Sequence, residues 1–372
     1  MSNRIPVYTP NLTPAETAKV MDCMETGWIS SRGKYVEEFE QKFCDYTGVA
    51  HATTVSNGTV ALHLALLALD IQPGDEIIVP TFTYVASVNA IRYMGAVPVF
   101  AESELDYWQL DVADVEHRIT PKTKAIMAVH LYGHPTDMTA LNAVAKAHNL
   151  YVVEDAAEAF GAYHKGEHVG KFGDVATFSF FANKTITTGE GGMVTTQNED
   201  LYKEMALLKT HYVSSTKQYW HDKVGYNYRM TNICAAIGVS QISRADDIIA
   251  RKKHVAMRYR ELLADCPVVF QGIRDDAVHS HWMVSLRVEE GYSRDAFRDF
   301  LADHDIETRP AFFEVHTMPM YQEFHLNNER FPVAEQLSAQ GLNLPSYPDL
   351  TEEDLVRISD VAHQFFKSRK KA

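Results

Sequence analysis

Cysteine is scarce in this chain, and long apolar stretches are missing. The 372 residues include only four cysteines, none in a C-x-x-C or other metal-type spacing, so we predict no metal site. The most apolar run, residues 61–69, is far shorter than the roughly 20 residues needed to span a membrane. The first residues carry no apolar signal core. We therefore expect a protein of the reducing cytoplasm with no membrane partner.

Basic charge is also in short supply. The chain has 35 Lys and Arg against 49 Asp and Glu, a formal net charge of −14. Because a nucleic-acid-binding surface needs a basic face, we expect no nucleic-acid partner. The nucleotide-loop patterns G-x-x-x-x-G-K and G-x-G-x-x-G are absent as well. Binding of an anionic small ligand is not excluded, since a local pocket can be positive on an acidic protein.

The chain does contain a regular alternation of short apolar strands and helices. Strands are predicted at 52–55, 76–80, 96–100, 123–131 and 151–155, mostly with helical segments between them. This alternation predicts an α/β fold, in which a largely parallel sheet is covered by helices on both faces.

A smaller α/β unit is predicted towards the C-terminus. It contains a strand at 282–288 and a helix at 293–304. A long helical run from residue 233 to about residue 263 can bridge the two units. We therefore predict a large domain at residues 1–250 and a small C-terminal domain at residues 251–372.

Polar residues stand where several of these strands end. Ser56-Asn57-Gly58-Thr59 joins a strand to a helix, so that backbone N–H groups and the helix dipole can hold an anion such as phosphate. Tyr84 follows another strand, and Asp155 ends a third with Glu158 three residues on. Ligands of parallel sheets bind at these carboxyl ends.

A lysine, Lys184, follows a further apolar run and precedes Thr-Thr-Gly-Glu-Gly-Gly. Lysine forms a Schiff base only as the free amine, so a catalytic lysine needs surroundings that lower its pKa. Each residue has a simpler explanation: Lys184 as a surface hairpin residue, Asp155 as a helix cap and Tyr84 as a core aromatic. Together they describe a site for a flat, phosphorylated, aldehyde-bearing heteroaromatic.

Several motifs in this order resemble the pyridoxal-phosphate (PLP) enzymes of the aspartate-aminotransferase fold, fold type I. More narrowly, the chain resembles the DegT/DnrJ/EryC1/StrS family of nucleotide-sugar aminotransferases over nearly its whole length. The matching segments are Trp28-Ile29-Ser30-Ser31, Ser56-Asn57-Gly58-Thr59, Pro80-Thr81-Phe82-Thr83-Tyr84, Glu154-Asp155-Ala156-Ala157-Glu158, residues 179–192 and Gly225-Tyr226-Asn227-Tyr228-Arg229.

This resemblance implies a role for each strand-end residue. Lys184 would form the Schiff base with PLP and move the proton during transamination. Asp155 would pair with the pyridine nitrogen, Glu158 would lie near the ring hydroxyl, and Tyr84 would stack on the ring. The remaining expected cofactor contacts, all towards the phosphate, are Gly58, Thr59, Ser179 and, from a neighbouring subunit, Asn227 and Arg229.

The resemblance also implies partners and a reaction. We expect a homodimer with shared active sites, or a tetramer, and sugar contacts from Trp28, Ser30, Trp220 and His316. L-Glutamate would convert PLP to pyridoxamine phosphate (PMP). The amino group would then pass to C4 of GDP-4-keto-6-deoxy-D-mannose, giving GDP-perosamine for a surface polysaccharide such as the O-antigen of lipopolysaccharide.

Three alternatives stay open or are disfavoured. A dTDP- or UDP-4-keto-6-deoxyhexose could replace the GDP sugar, because relatives share most of the cofactor site. A related C3-dehydratase would carry His in place of Lys184. A regulatory PLP-binding protein would add a DNA-binding module, for which the chain has no spare basic segment.

Overall fold

A seven-stranded sheet forms the centre of the computed structural model, which describes residues 4–324 and 329–368. In chain order its strands are β1 (His51–Val55), β2 (Glu76–Pro80), β3 (Val97–Ala101), β4 (Thr123–Val129), β5 (Tyr151–Asp155), β8 (Val175–Ser179) and β9 (Gly192–Thr196). They lie in the order β1-β9-β8-β5-β4-β2-β3. Strands β3, β2, β4, β5 and β8 pair in parallel, whereas β9 is antiparallel to both β8 and β1. The predicted mostly parallel sheet is confirmed.

Helices cover this sheet and continue into the C-terminal part. They are α1 (Pro14–Thr26), α2 (Lys34–Thr47), α3 (Gly58–Ala68), α4 (Val85–Tyr93), α5 (Val112–His117), α6 (Met138–His148), α7 (Glu199–Leu208), α8 (Asn232–Ile242), α9 (Ala245–Leu262), α10 (Arg294–Asp303), α11 (Pro332–Gln340) and α12 (Glu352–Ser368). In the described parts of the chain, none of them combines the length and apolarity that crossing a membrane requires.

Two smaller sheets complete the fold. A hairpin of β6 (Tyr163–His164) and β7 (Glu167–His168) pairs through β6 with β11 (Ala277–Val278). Strands β10 (Val268–Phe270), β12 (Val284–Val288), β13 (Arg309–Pro310) and β14 (Gly341–Leu344) form an antiparallel sheet. This sheet shares a separate apolar core with α9, α10 and α12. The boundary at residue 250 stays a prediction.

The predicted continuous helix over 233–263 is wrong. The chain leaves the helical conformation between α8 and α9 at Arg244, whose φ is −118°. The Arg244 guanidinium donates to the main-chain carbonyl of Asn11 and to the Glu16 carboxylate, both at 3.1 Å. Asp246 and Asp247 lie in the first turn of α9, where the positive end of the helix dipole stabilises acidic side chains.

The position of α3 explains how the first strand contributes to a site. The Asn57 side chain caps the helix by accepting the main-chain N–H of Val60 at 3.0 Å. The helix then packs on β8 and β9 with most of its side chains buried. Its amino end therefore lies against the carboxyl end of β8, which leads to Lys184.

Candidate active site

Lys184 lies in the turn after β8, with its side chain 13% exposed. Its Nζ lies 3.9 Å from Oε1 of Glu158 and 4.0 Å from the ring centroid of Trp282. Burial lowers the pKa of the Lys184 amine, and the charges of Glu158 and Asp155 oppose that shift. The surroundings therefore favour the free amine that a Schiff base requires.

Glu158 faces Lys184 from the segment after β5. Its Oε2 accepts the main-chain N–H of Tyr132 at 2.8 Å. Burial raises the pKa of the Glu158 carboxyl, against the opposing effects of the Lys184 charge and this hydrogen bond. A carboxyl whose pKa is raised towards neutrality can hold or release a proton beside the amine.

Asp155 is the last residue of β5 and is 5% exposed. Its carboxylate accepts the Ser87 hydroxyl at 2.7 Å and the main-chain N–H of Ala157 at 3.1 Å. Burial raises the pKa of this carboxyl, whereas these donors and the Lys184 charge act in the opposite direction. A cationic partner would therefore favour the carboxylate form.

Gly58 and Thr59 are the first two residues of α3, where main-chain N–H groups have no partner within the helix. A Cβ at position 58 would lie 2.8 Å from Cβ of Ser179, so only glycine fits against the end of β8. The Ser179 hydroxyl lies beside the helix start, since its oxygen would be 3.1 Å from the same Cβ. It also accepts the main-chain N–H of Phe181 at 3.4 Å. This arrangement of amides and hydroxyl suits a phosphate.

Tyr84 precedes α4 and is 57% exposed. Its ring lies 5.8 Å from that of Phe312. An exposed aromatic face beside the strand ends can stack on a flat ligand. The stacking of Tyr84 on the PLP ring stays a prediction.

Asn227 and Arg229 lie apart from Lys184 in sequence and form a pair of their own. The Arg229 Nε donates to Oδ1 of Asn227 at 3.0 Å, and Asn227 is exposed. The main-chain carbonyl of Tyr228, between them, accepts the N–H of Ser56 at 2.8 Å, just before the α3 cap. Their expected role at a neighbouring subunit's phosphate stays a prediction.

Trp28 and Ser30 lie in the exposed segment after α1. The Asn232 side chain donates to the Trp28 carbonyl at 2.7 Å, and the Asn232 main-chain N–H donates to the Ser30 carbonyl at 2.6 Å. Buried Asn232 therefore fixes this segment, while Trp28 remains 58% exposed. Sequence reasoning gave Asn232 no role.

Trp220 and His316 have contrasting positions. Trp220 is half-exposed in the loop after α7, where its indole N–H donates to Asp222 at 3.0 Å. His316 is 3% exposed, and its Nδ1 lies 2.6 Å from the hydroxyl of Thr81, which follows β2. The structure thus places His316 behind the strand end instead of on an open surface. The predicted sugar contacts of both residues stay predictions.

Four further residues contact the predicted site and carry no local sequence signal. They are Tyr8, Ser87, Tyr132 and Trp282, which reach Lys184, Asp155 or Glu158 from distant parts of the chain. All four contacts depend on tertiary packing.

The residues at the strand ends fit PLP. A buried carboxylate, a partly desolvated amine and a glycine-lined helix start lie at one edge of the sheet. These groups match a pyridine nitrogen, an aldehyde and a phosphate. Within the described residues, one cluster has a metal-type composition, Asp265, Cys266 and His363, and it lies outside this site.

Comparison with known proteins now decides the family. The sequence pattern of the DegT/DnrJ/EryC1/StrS aminotransferase family matches residues 10–362. The chain belongs to this family. The predicted family, fold and enzyme class are confirmed, and the chain is an aminotransferase.

Similar proteins cover the chain almost from end to end. It is 52% identical over 365 residues to GDP-perosamine synthase from Escherichia coli O157:H7, covering 98% of this chain and 99% of that protein. It is 49% identical over 365 residues to GDP-perosamine synthase from Vibrio cholerae, covering 97% and 99%. A Streptococcus pneumoniae protein solved in a PLP form superposes with a TM-score of 0.93 at 29% identity, covering 99% and 100%.

Proposed function

We propose that this aminotransferase transfers the amino group of L-glutamate to C4 of GDP-4-keto-6-deoxy-D-mannose, forming GDP-perosamine and 2-oxoglutarate. The likeness to GDP-perosamine synthases over nearly the full chain carries the sugar assignment. The placement of the Lys184 amine between Glu158 and Trp282 supports the transamination chemistry. The cofactor prediction is confirmed, since the Streptococcus pneumoniae neighbour is known in both PLP and PMP forms.

Each residue of the site has a distinct task in this reaction. When bound, PLP supplies an aldehyde that exchanges amino groups and a ring that withdraws electrons. Asp155 would hold the ring nitrogen protonated, and Ser87 keeps that carboxylate in place. Gly58, Thr59 and Ser179 would bind the phosphate. Lys184, once its amine is free, would carry a proton between the substrate carbon and the cofactor.

Assembly and location extend this proposal. A homodimer in which Asn227 and Arg229 complete the partner's site is supported by the position of this hydrogen-bonded pair beside the start of α3, where Asn227 is exposed. The exposed Trp28, Ser30 and Trp220 would face the sugar nucleotide in that dimer. A cytoplasmic location and the division at residue 250 belong to the same proposal.

A panel of sugar nucleotides tests the substrate assignment. Purified protein would be incubated with L-glutamate and a GDP-, dTDP- or UDP-linked 4-keto-6-deoxyhexose. We expect kcat/KM for GDP-4-keto-6-deoxy-D-mannose to exceed the others by roughly 10²-fold, since leaving a buried polar group of the site unpaired with another base costs about 1–3 kcal/mol. Mass spectrometry of the amino sugar and 2-oxoglutarate release measure this. Omitting glutamate provides the control.

Two outcomes would contradict the proposal at different levels. Turnover of only the dTDP or UDP sugar would refute the GDP assignment and leave the aminotransferase chemistry intact. Absence of 2-oxoglutarate with every 4-keto sugar would contradict sugar transamination itself.

A further inference from the structure

Trp282 makes two contacts to the turn that carries Lys184. Its ring centroid lies 4.0 Å from Nζ of Lys184, within the distance at which an ammonium is attracted to an aromatic face. Its indole N–H donates to the main-chain carbonyl of Asn183 at 2.7 Å. One side chain thus contacts both the reacting nitrogen and the residue just before it.

The position of Trp282 is itself fixed on the opposite side. The segment before it runs against a turn at Tyr132 and Gly133, where the Ser280 N–H donates to the Gly133 carbonyl at 2.9 Å. Gly133 has φ +101°, and a Cβ there would lie 2.4 Å from the Ser280 hydroxyl oxygen. The rings of Tyr132 and Trp282 are stacked, 6.2 Å apart and inclined by 10°.

Tyr132 contacts both Trp282 and Glu158, the aromatic and the acidic neighbour of Lys184. Its main-chain N–H holds Glu158, whose carboxylate lies on Lys184, and its side chain stacks on Trp282. Tyr132 itself has a left-handed backbone with φ 58°. Tyr132 therefore contacts both groups that lie beside Nζ, Glu158 through its main chain and Trp282 through its ring.

We propose that Trp282 is a positioning residue for Lys184, with its ring face stabilising the lysine ammonium beside Glu158 and its indole N–H fixing the turn. This inference rests on the proposed function for its catalytic meaning.

An aromatic ring and a carboxylate stabilise a lysine ammonium in different ways. In transamination Lys184 takes up a proton and gives it back, so its ammonium must form without losing the proton elsewhere. A carboxylate such as Glu158 stabilises the ammonium but competes for its proton. The Trp282 face attracts the cation and accepts no proton. It therefore offsets part of the decrease that burial causes in the pKa of Lys184.

The test measures the amine of Lys184 directly in the protein freed of cofactor. Acetic anhydride labels neutral amines, and peptide mass spectrometry gives the rate at Lys184 across a range of pH. The titratable groups facing Nζ in the described chain, Glu158 and Asp155, remain in every variant. We expect Trp282→Leu to move the labelling profile to lower pH, raising the rate at neutral pH about tenfold.

A second variant and a control distinguish a change in the protonation of Lys184 from a change in the access of the reagent to its amine. Trp282→Phe keeps an aromatic face but loses the N–H, and we expect a shift in the same direction of about threefold. Phe270→Leu removes an aromatic ring that lies 5.0 Å from the Arg260 guanidinium, and it should leave the Lys184 profile unchanged. Thermal unfolding shows which variants are folded.

An unchanged profile in a folded Trp282 variant would overturn the inference. A rate that rises equally at every pH would do the same, because greater access alone alters the rate without moving the midpoint. The labelling rates of Lys184 do not depend on the sugar panel. Failure of the substrate assignment is therefore distinguishable from failure of the role proposed for Trp282.

Discussion

Replacing Lys184 with alanine is expected to lower the rate of transamination by at least about 10³-fold, because proton transfer by a positioned side chain contributes about 10²–10⁴-fold. The variant also loses the only amine that the structure places against Glu158 and Trp282 among the described residues. Release of 2-oxoglutarate from glutamate measures the first half of the reaction. Added small primary amines should restore part of the rate, since they can carry the same proton.

A lysine outside the site provides the matched control for this experiment. Lys171 pairs with Glu167 on the surface hairpin segment, and Lys171→Ala should retain activity close to that of the unmodified chain. A Lys184→Ala protein that keeps its rate within tenfold would remove this lysine from the mechanism.

Asp155→Asn is expected to reduce kcat/KM by about 10²-fold while the protein stays folded. The amide keeps the size of the side chain; its oxygen can accept the Ala157 main-chain N–H while its NH2 group donates to the Ser87 hydroxyl oxygen, so the local structure is retained. It carries no charge for the ring nitrogen, and a hydrogen bond to a charged group contributes about 1.5–3 kcal/mol. Steady-state kinetics with glutamate and dialysis of the cofactor measure the loss.

The same strand offers a control for Asp155 at its other end. Asp174 accepts the main-chain N–H of Val152 at 2.8 Å, near the start of β5. Asp174→Asn can preserve that hydrogen bond and should leave kcat/KM nearly unchanged. Equal losses in the two variants would point to damage to the strand, and an active Asp155→Asn would contradict the pairing.

Much of the site could be predicted because parallel strands end at one edge of a sheet. Gly58, Tyr84, Asp155 and Lys184 each follow or end a short apolar strand, so a correct strand assignment already places them near one another. The helix after Asn57 carries its own capping signal, which fixes where the phosphate-type turn begins. These are local features that the sequence contains.

What could not be predicted depends on contacts between distant segments. Trp282 lies almost 100 positions after Lys184, and nothing in its neighbours indicates that it reaches Nζ. The burial of His316 against Thr81 requires the C-terminal segment to pack behind β2. The break at Arg244 is stabilised by Asn11 and Glu16, more than 200 positions earlier, so helical periodicity alone predicts an unbroken run.

Reductive trapping tests the central claim most directly, namely that Lys184 is the residue that binds PLP. Purified protein incubated with PLP would be reduced with borohydride, digested and examined by peptide mass spectrometry. We expect the protein to be yellow before reduction and to carry, after reduction, a phosphopyridoxyl group on the peptide containing Lys184. Attachment at another lysine, or a colourless protein that gains no label, would contradict the account.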